Sequence, residues 1–341
     1  MQEREMYLFL CSIYRISQEE IDILKAQFGK LEVLMYLDEK EILKNKNLNS
    51  KLLKNIVKYR SHSRIENIKG VLEEKDIQYV CFSDDDYPES LKHIQMPPPI
   101  LFYKGDISIL DHRNNIAVIG SRAPTNYGLY CVRKYAKELS DIGMDIVSGL
   151  ALGIDSEAHL ACMNGKFGKT VAVLGSPIYN ILPSRNRIIS GLSVAVLVIE
   201  AAQKSGTKRT FDYAGDQGKT VFAMTGRIND PKSRGCIDMI IEGAIPFTSV
   251  ENIFRDKSVF LNAKEFCTLN NCKDSIEYDI KSLNYEKKEI LELIKRQGNI
   301  KIDDICNYTG MDIKTINSNV NELLIDDYII EMENKTYGFN V

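Results

Sequence analysis

At 341 residues the chain is longer than one ordinary domain, so two or three are predicted. Its composition, 44% hydrophobic and 27% charged with a net charge of −3, is that of a soluble globular protein and argues against a wholly basic nucleic-acid binder. The eight cysteines are scattered without a C-x-x-C pair and away from the four histidines, and no apolar run approaches the roughly 20 residues of a membrane helix. These features predict no metal, no cofactor and no membrane; scattered thiols without a signal peptide predict a cytoplasmic protein.

The charge is unevenly placed. Residues 176–235 hold nine Lys/Arg against four Asp/Glu, whereas residues 251–341 hold twelve against seventeen. A basic middle beside an acidic tail says more than the total.

Residues 1–75 read as a helical domain. Ser17 and Glu20 form a capping box, Ile21, Leu24 and Phe28 share one face, and Gly29 stops the helix. No chemical signature appears there, so packing or partner binding is predicted. Residues 77–82 read as a strand, followed by Asp84, Asp85 and Asp86, taken as a solvated turn rather than a metal site. Pro97, Pro98 and Pro99 then force an extended approach to residues 100–103.

From 116 the pattern changes. Apolar runs at 116–119, 146–147, 171–174, 194–199 and 221–224 lack polar alternation, as strands covered on both faces do. Each is followed by enough chain for a helix, which predicts a Rossmann-like, doubly wound parallel sheet over a core of residues 76–254. Ligands of such sheets bind at the carboxyl ends of the strands. The first run ends in Gly120, Ser121 and Arg122, with Asn126 as candidate cap of the next helix. That arrangement suits an anion, and equally a tight turn with a surface arginine. Neither a G-x-G-x-x-G fingerprint nor a G-x-x-x-x-G-K-[ST] loop occurs. After the second run, Gly149 and Gly153 let backbone approach closely; Asp155 reads as a helix cap and His159 as a stacked side chain rather than an acid–base pair.

The sharpest local signal is Arg185, Asn186 and Arg187, a donor cluster before an apolar helix. A second basic cluster, Lys204, Ser205, Gly206, Thr207, Lys208 and Arg209, follows the next strand. Both fall at carboxyl ends of parallel strands, hence on one rim, which favours phosphate-backbone binding. Beyond a polar linker at 255–283, residues 284–341 read as three helices and a hairpin turning at Glu333, Asn334 and Lys335, a winged helix. Its seven Lys/Arg against eleven Asp/Glu, with only Lys314 on the third helix, favour protein contact over duplex DNA.

Several stretches together resemble the DNA-processing protein A (DprA/Smf) family: Tyr87-Pro88-Glu89, Gly120-Ser121-Arg122, the Ser-Gly-x-Ala-x-Gly-Ile-Asp string at 148–155, and the Arg-Asn-Arg-Ile-Ile-Ser-Gly-Leu-Ser string at 185–193. The resemblance is strong over 80–250, and the ends agree in domain type, a SAM-like helical domain and a winged helix. It implies a non-enzymatic single-stranded DNA-binding protein of natural transformation and recombination that loads the RecA recombinase and forms homodimers. The helix around Ile237, Met239, Ile240 and Ile241 is a candidate dimer surface. By resemblance Arg122, Arg185 and Arg187 belong to the DNA-binding rim. The complete candidate set is Ser121, Arg122, Gly149, Arg185, Asn186, Arg187, Lys204, Ser205, Gly206 and Lys208. The family carries another strand–helix unit, of about 30 residues, where Pro177 to Pro183 connect directly here. Two alternatives stand beside the main reading. One is a nucleotide-processing, phosphoribohydrolase-like enzyme, for which Glu200 is the candidate carboxylate although no Pro-Gly-Gly-x-Gly-Thr loop is present. The other is a degenerate family copy with weakened DNA binding.

Overall fold

The computed structural model describes residues 2–111, 114–175, 185–255, 284–297, 300–325, 329–332 and 336–339. The chain falls into two compact units, Met1–Cys267 and Thr268–Val341.

The N-terminal helices are built around α1 (Glu3–Ile13), in which Met6, Tyr7, Leu8, Phe9, Leu10 and Cys11 are all buried. A helix apolar on every side must be central, and the others wrap it. They are α2 (Gln18–Phe28), a 3₁₀ turn (Leu31–Met35), α3 (Glu39–Leu43), α4 (Ser50–Tyr59) and α5 (His62–Glu74). The capping box on α2 forms as predicted: Glu20 N donates to Ser17 Oγ at 3.1 Å, and Ser17 N donates to Glu20 Oε2 at 2.9 Å.

Next come β1 (Gln78–Cys81), α6 (Glu89–Lys92) and β2 (Ile100–Tyr103), with β1 and β2 paired antiparallel. Alternate side chains of this pair serve two cores. Tyr79, Cys81, Ile100 and Phe102 pack with the N-terminal helices, while Val80, Leu101 and Tyr103 join the cluster beneath the main sheet. The acidic turn is tied down by Asp84, which accepts from Cys81 N at 2.8 Å and pairs with Arg4 at 3.0 Å.

The main sheet follows in βα succession: β3 (Asn115–Gly120), α7 (Asn126–Asp141), β4 (Asp145–Ser148), α8 (Ile154–Met163) and β5 (Thr170–Ala172). Then come α9 (Asn186–Gly191), β6 (Ala195–Glu200), α10 (Thr207–Asp216), β7 (Thr220–Met224), α11 (Arg234–Ile241), β8 (Ile245–Phe247) and α12 (Glu251–Arg255). All six strands are parallel, in the order β5-β4-β3-β6-β7-β8. Central strand β6 is buried along its whole length, as its unbroken apolar run requires. Ile116, Val118, Leu197 and Phe222 face one way with residues of α7 and α8; Ala117, Ile119, Val196, Val198 and Ala223 face the other with residues of α9 and α11. Edge strand β8 was not among the predicted strands: it is three residues long and contains Pro246, which only an edge tolerates. The shortened connection from Pro177 to Pro183 lies outside the described residues.

The second unit contains α13 (Tyr285–Gln297), β9 (Ile300–Lys301), α14 (Ile302–Thr309), α15 (Ile313–Ile325), β10 (Ile329–Met332) and β11 (Thr336–Phe339). Its three strands form an antiparallel sheet in the order β10-β11-β9. Ile290, Ile294, Ile305, Ile316, Val320 and Leu323 make its core. Ile313, predicted on the inward stripe, is exposed. The predicted hairpin turn at 333–335 and linker residues 256–283 lie outside the described residues.

Candidate nucleic-acid interface

Because β3 to β7 are parallel, residues 120, 148, 172, 200 and 224 end on one rim. At the end of β3, Ser121 is partly exposed and accepts from Ala123 N at 3.2 Å, while Arg122 is exposed. The cap of α7 is Thr125, not the predicted Asn126: Gly128 N donates to Thr125 Oγ1 at 3.0 Å, and Asn126 is already helical. The anion at this helix start is the protein's own. Buried Glu200, at the end of β6, accepts from Thr125 Oγ1 at 2.6 Å and from Thr125 N at 3.1 Å. A carboxylate satisfies the free N–H groups and the dipole there as a phosphate would.

Beyond β4 the chain is drawn tightly against the β3 loop. Gly153 has φ +90°, and a Cβ on it would stand 2.4 Å from the Ser121 carbonyl oxygen. No side chain fits. Ile154 N then donates to that same oxygen at 3.1 Å. Asp155 is not the N-cap of α8; that position is Gly153. Its buried carboxylate accepts backbone N–H bonds from Gly120, Gly149 and Ala151 and lies beside Arg185. Burial outweighs these stabilising partners and raises the Asp155 pKa.

Arg185 spans the end of β4 and the end of β5: Nη1 donates to the Gly149 carbonyl at 2.5 Å and to the Val173 carbonyl at 3.2 Å. Gly149 is buried at the meeting point, where a Cβ would sit 2.7 Å from Asp155 Oδ2 and 2.9 Å from Arg185 Nη2. Asn186 is partly exposed and donates to the Gly206 carbonyl at 3.4 Å. Arg187 departs from the prediction of an exposed rim donor. It is 6% exposed, and its guanidinium donates to the Met96 carbonyl through Nε at 3.1 Å and Nη2 at 2.9 Å. Burial lowers its pKa, and the side chain anchors the segment leading into the proline run.

Past β6, Lys204 is exposed, Ser205 bonds the Thr207 hydroxyl at 2.9 Å, and exposed Gly206 precedes α10. Lys208 is compensated: it pairs with Asp212 and with Glu242, the latter at 2.9 Å, and lies over the Phe211 ring. Two exposed cations stand outside the candidate set: Arg209, which belongs to the second basic cluster, and Arg227. Arg227 had a readable signal, since Thr225-Gly226-Arg227 after β7 repeats the strand, glycine and arginine grammar of Gly120-Ser121-Arg122. Arg122, Lys204, Arg209 and Arg227 carry no ion pair among the described residues.

On α8, buried His159 hydrogen-bonds the Thr170 hydroxyl through Nδ1, and Thr170 Oγ1 donates to the Ile146 carbonyl at 3.2 Å. The hydroxyl proton is thus committed, so Nδ1 carries the ring proton and Nε2 is bare. Burial depresses the His159 pKa to about 4. No helix among the described residues is long and apolar enough to cross a membrane.

The model of a known family, DNA recombination-mediator protein A, matches residues 78–185 and 182–258. The two matched segments meet at 182–185, beside the shortened connection. The DNA processing protein DprA of Bacillus subtilis (strain 168) is 34% identical, the match covering 57% of this chain and 76% of the relative. That of Streptococcus pneumoniae (strain ATCC BAA-255 / R6) is 37% identical over 51% of this chain and 72% of the relative. The X-ray structure of DprA from Streptococcus pneumoniae aligns with a TM-score of 0.60 and 29% identity, covering 75% of this chain and 98% of that one. The chain belongs to the DNA recombination-mediator protein A family.

Proposed function

We propose that this protein binds single-stranded DNA along the rim formed by the carboxyl ends of its parallel strands, and delivers the strand to a RecA-type recombinase without performing catalysis. The observation that carries the reading is the set Arg122, Lys204, Arg209 and Arg227, exposed on one rim with no ion pair among the described residues. Unengaged cations release counterions from a phosphate chain; paired ones have little left to offer. Asn186 presents a partly exposed amide beside α10, while Arg185, already bonded to the Gly149 and Val173 carbonyls, holds that edge of the rim in place. Arg187 is left out of the contact set because its guanidinium is spent on Met96.

The nucleotide-processing alternative needs a carboxylate free to act, and the candidate, Glu200, is buried and held by Thr125. We read the second unit as an acidic winged helix that contacts protein, and the exposed Ile241 on α11, 76% accessible, as part of a homodimer surface. Sedimentation at micromolar concentration tests the dimer, where monomer alone removes it. Titration of a labelled oligodeoxynucleotide at several salt concentrations tests the binding. Affinity should fall steeply with salt at about 0.7 log units per phosphate contacted, per log unit of salt. A salt-independent or absent signal refutes the reading, and steep but weak binding identifies a copy with reduced affinity.

A further inference from the structure

The rim cations hold phosphates, but a single strand also exposes base faces, and those gain most from rings. The first exposed rings after Arg122 in the chain are Tyr127 and Tyr130, both on α7. The helix buries Gly128, Cys131, Val132, Ala136 and Leu139 against the sheet. Its opposite face presents Asn126, Tyr127, Tyr130, Arg133, Lys134 and Lys137 to solvent. Tyr127 and Tyr130 are each 60% exposed. Three residues apart on a helix, they are surface neighbours.

The helix face around the rings is basic in sequence, with each cation paired to an acid farther down or on α8. From Asn126 to Lys137 the helix carries Arg133, Lys134 and Lys137 and no acid. Arg133 pairs with Glu157 through Nε at 2.8 Å, Lys137 pairs with Asp141, and Lys134 lies 3.8 Å from Glu138. Glu200 lies buried beneath the first turn, held by Thr125; on the helix surface, acids enter only from the lower turns and from α8. The upper two turns, nearest the rim, present two exposed rings and no exposed acid.

We infer that the outer face of α7 is a base-stacking track for single-stranded DNA, continuing the strand from Arg122 across Tyr127 and Tyr130 toward Lys134. This rests on the single-strand reading above and adds the path the strand takes. Stacking is indifferent to base identity, so the track holds any sequence, as a general recombination mediator requires.

The chain contains no tryptophan, which gives a direct test. Tyr130→Trp places one indole on the track, and its fluorescence should be quenched by an oligothymidylate, saturating with the binding curve. Tyr36→Trp, on the N-terminal helices where Tyr36 is also exposed, should not be quenched. The double variant Tyr127→Ala/Tyr130→Ala should bind about tenfold more weakly with an unchanged salt slope, and Tyr130→Phe should bind like the parent. The track is refuted if the parent binds but the double variant binds equally well. Quenching of the Tyr36→Trp indole as strong as that of the Tyr130→Trp indole refutes it too. Failure of the parent to bind at low salt instead overturns the underlying reading.

Discussion

The two halves of the rim use positive charge in opposite ways. Over β4 and β5, Arg185 donates to two backbone carbonyls, sits beside Asp155, and closes a seam where Gly149 and Gly153 admit no side chain. Over β6 and β7, Lys204, Arg209 and Arg227 stand exposed without ion pairs among the described residues. The first half spends its cation on holding loops together; the second leaves cations for a ligand. Counting lysines and arginines along a sequence cannot separate these uses, because the difference lies in what each donor already touches.

Mutations should separate the halves cleanly. The largest effect belongs to Gly153→Ala, which imposes a positive φ on alanine and drives a Cβ into the Ser121 carbonyl; about 3–4 kcal/mol of stability should be lost in urea unfolding. A midpoint equal to the parent's breaks the claim that this half is a seam.

Acid should loosen the same half. The folded-state pKa of His159, about 4, lies below the ordinary 6.5, so between those values the unfolded chain binds the extra proton. That part of the stability is present above pH 6.5 and falls away as pH drops toward 4, by up to about 3 kcal/mol. Asp155, its pKa raised above the ordinary 3.8, acts in the opposite sense, adding stability as pH falls through its raised value. His159→Gln should flatten unfolding free energy against pH between 7 and 4.5; an unaltered slope assigns the acid sensitivity elsewhere.

Arg187→Ala should cost about 2 kcal/mol by leaving the Met96 carbonyl unpaired, while DNA affinity per folded molecule stays at the parent value. Loss of affinity without loss of stability would return Arg187 to the ligand. The smallest effects belong to the open half. Lys204→Ala and Arg227→Ala should each weaken single-strand binding by about threefold and reduce the salt slope by about 0.7, with unchanged melting. Early melting of either variant would erase the contrast between the halves.

The sheet was legible in the sequence because burial on both faces writes itself locally, as the unbroken run of β6 shows. The capping box at Ser17 was legible for the same reason, since all its partners lie within four residues. The fates of Arg187 and Glu200 were not. Arg187 meets Met96 across 91 positions and Glu200 meets Thr125 across 75, so neither partner is visible from its neighbourhood. The same holds for the β1–β2 pair: a strand could be read at 77–82, but not that its two faces belong to two cores. Arg227 differs, because its strand-glycine-arginine pattern is local and readable in the sequence.

The carboxylate of Glu200 at the start of α7 also bears on which small anions that helix end can accept. Many sheets of this kind hold the pyrophosphate of a coenzyme at the helix after the first strand. Here a resident negative charge already occupies that position and would repel a second. Free nucleotides and dinucleotide coenzymes are thereby denied their usual berth. For the single-strand binding proposed above, a berth kept filled removes small phosphates as competitors at this end of the rim.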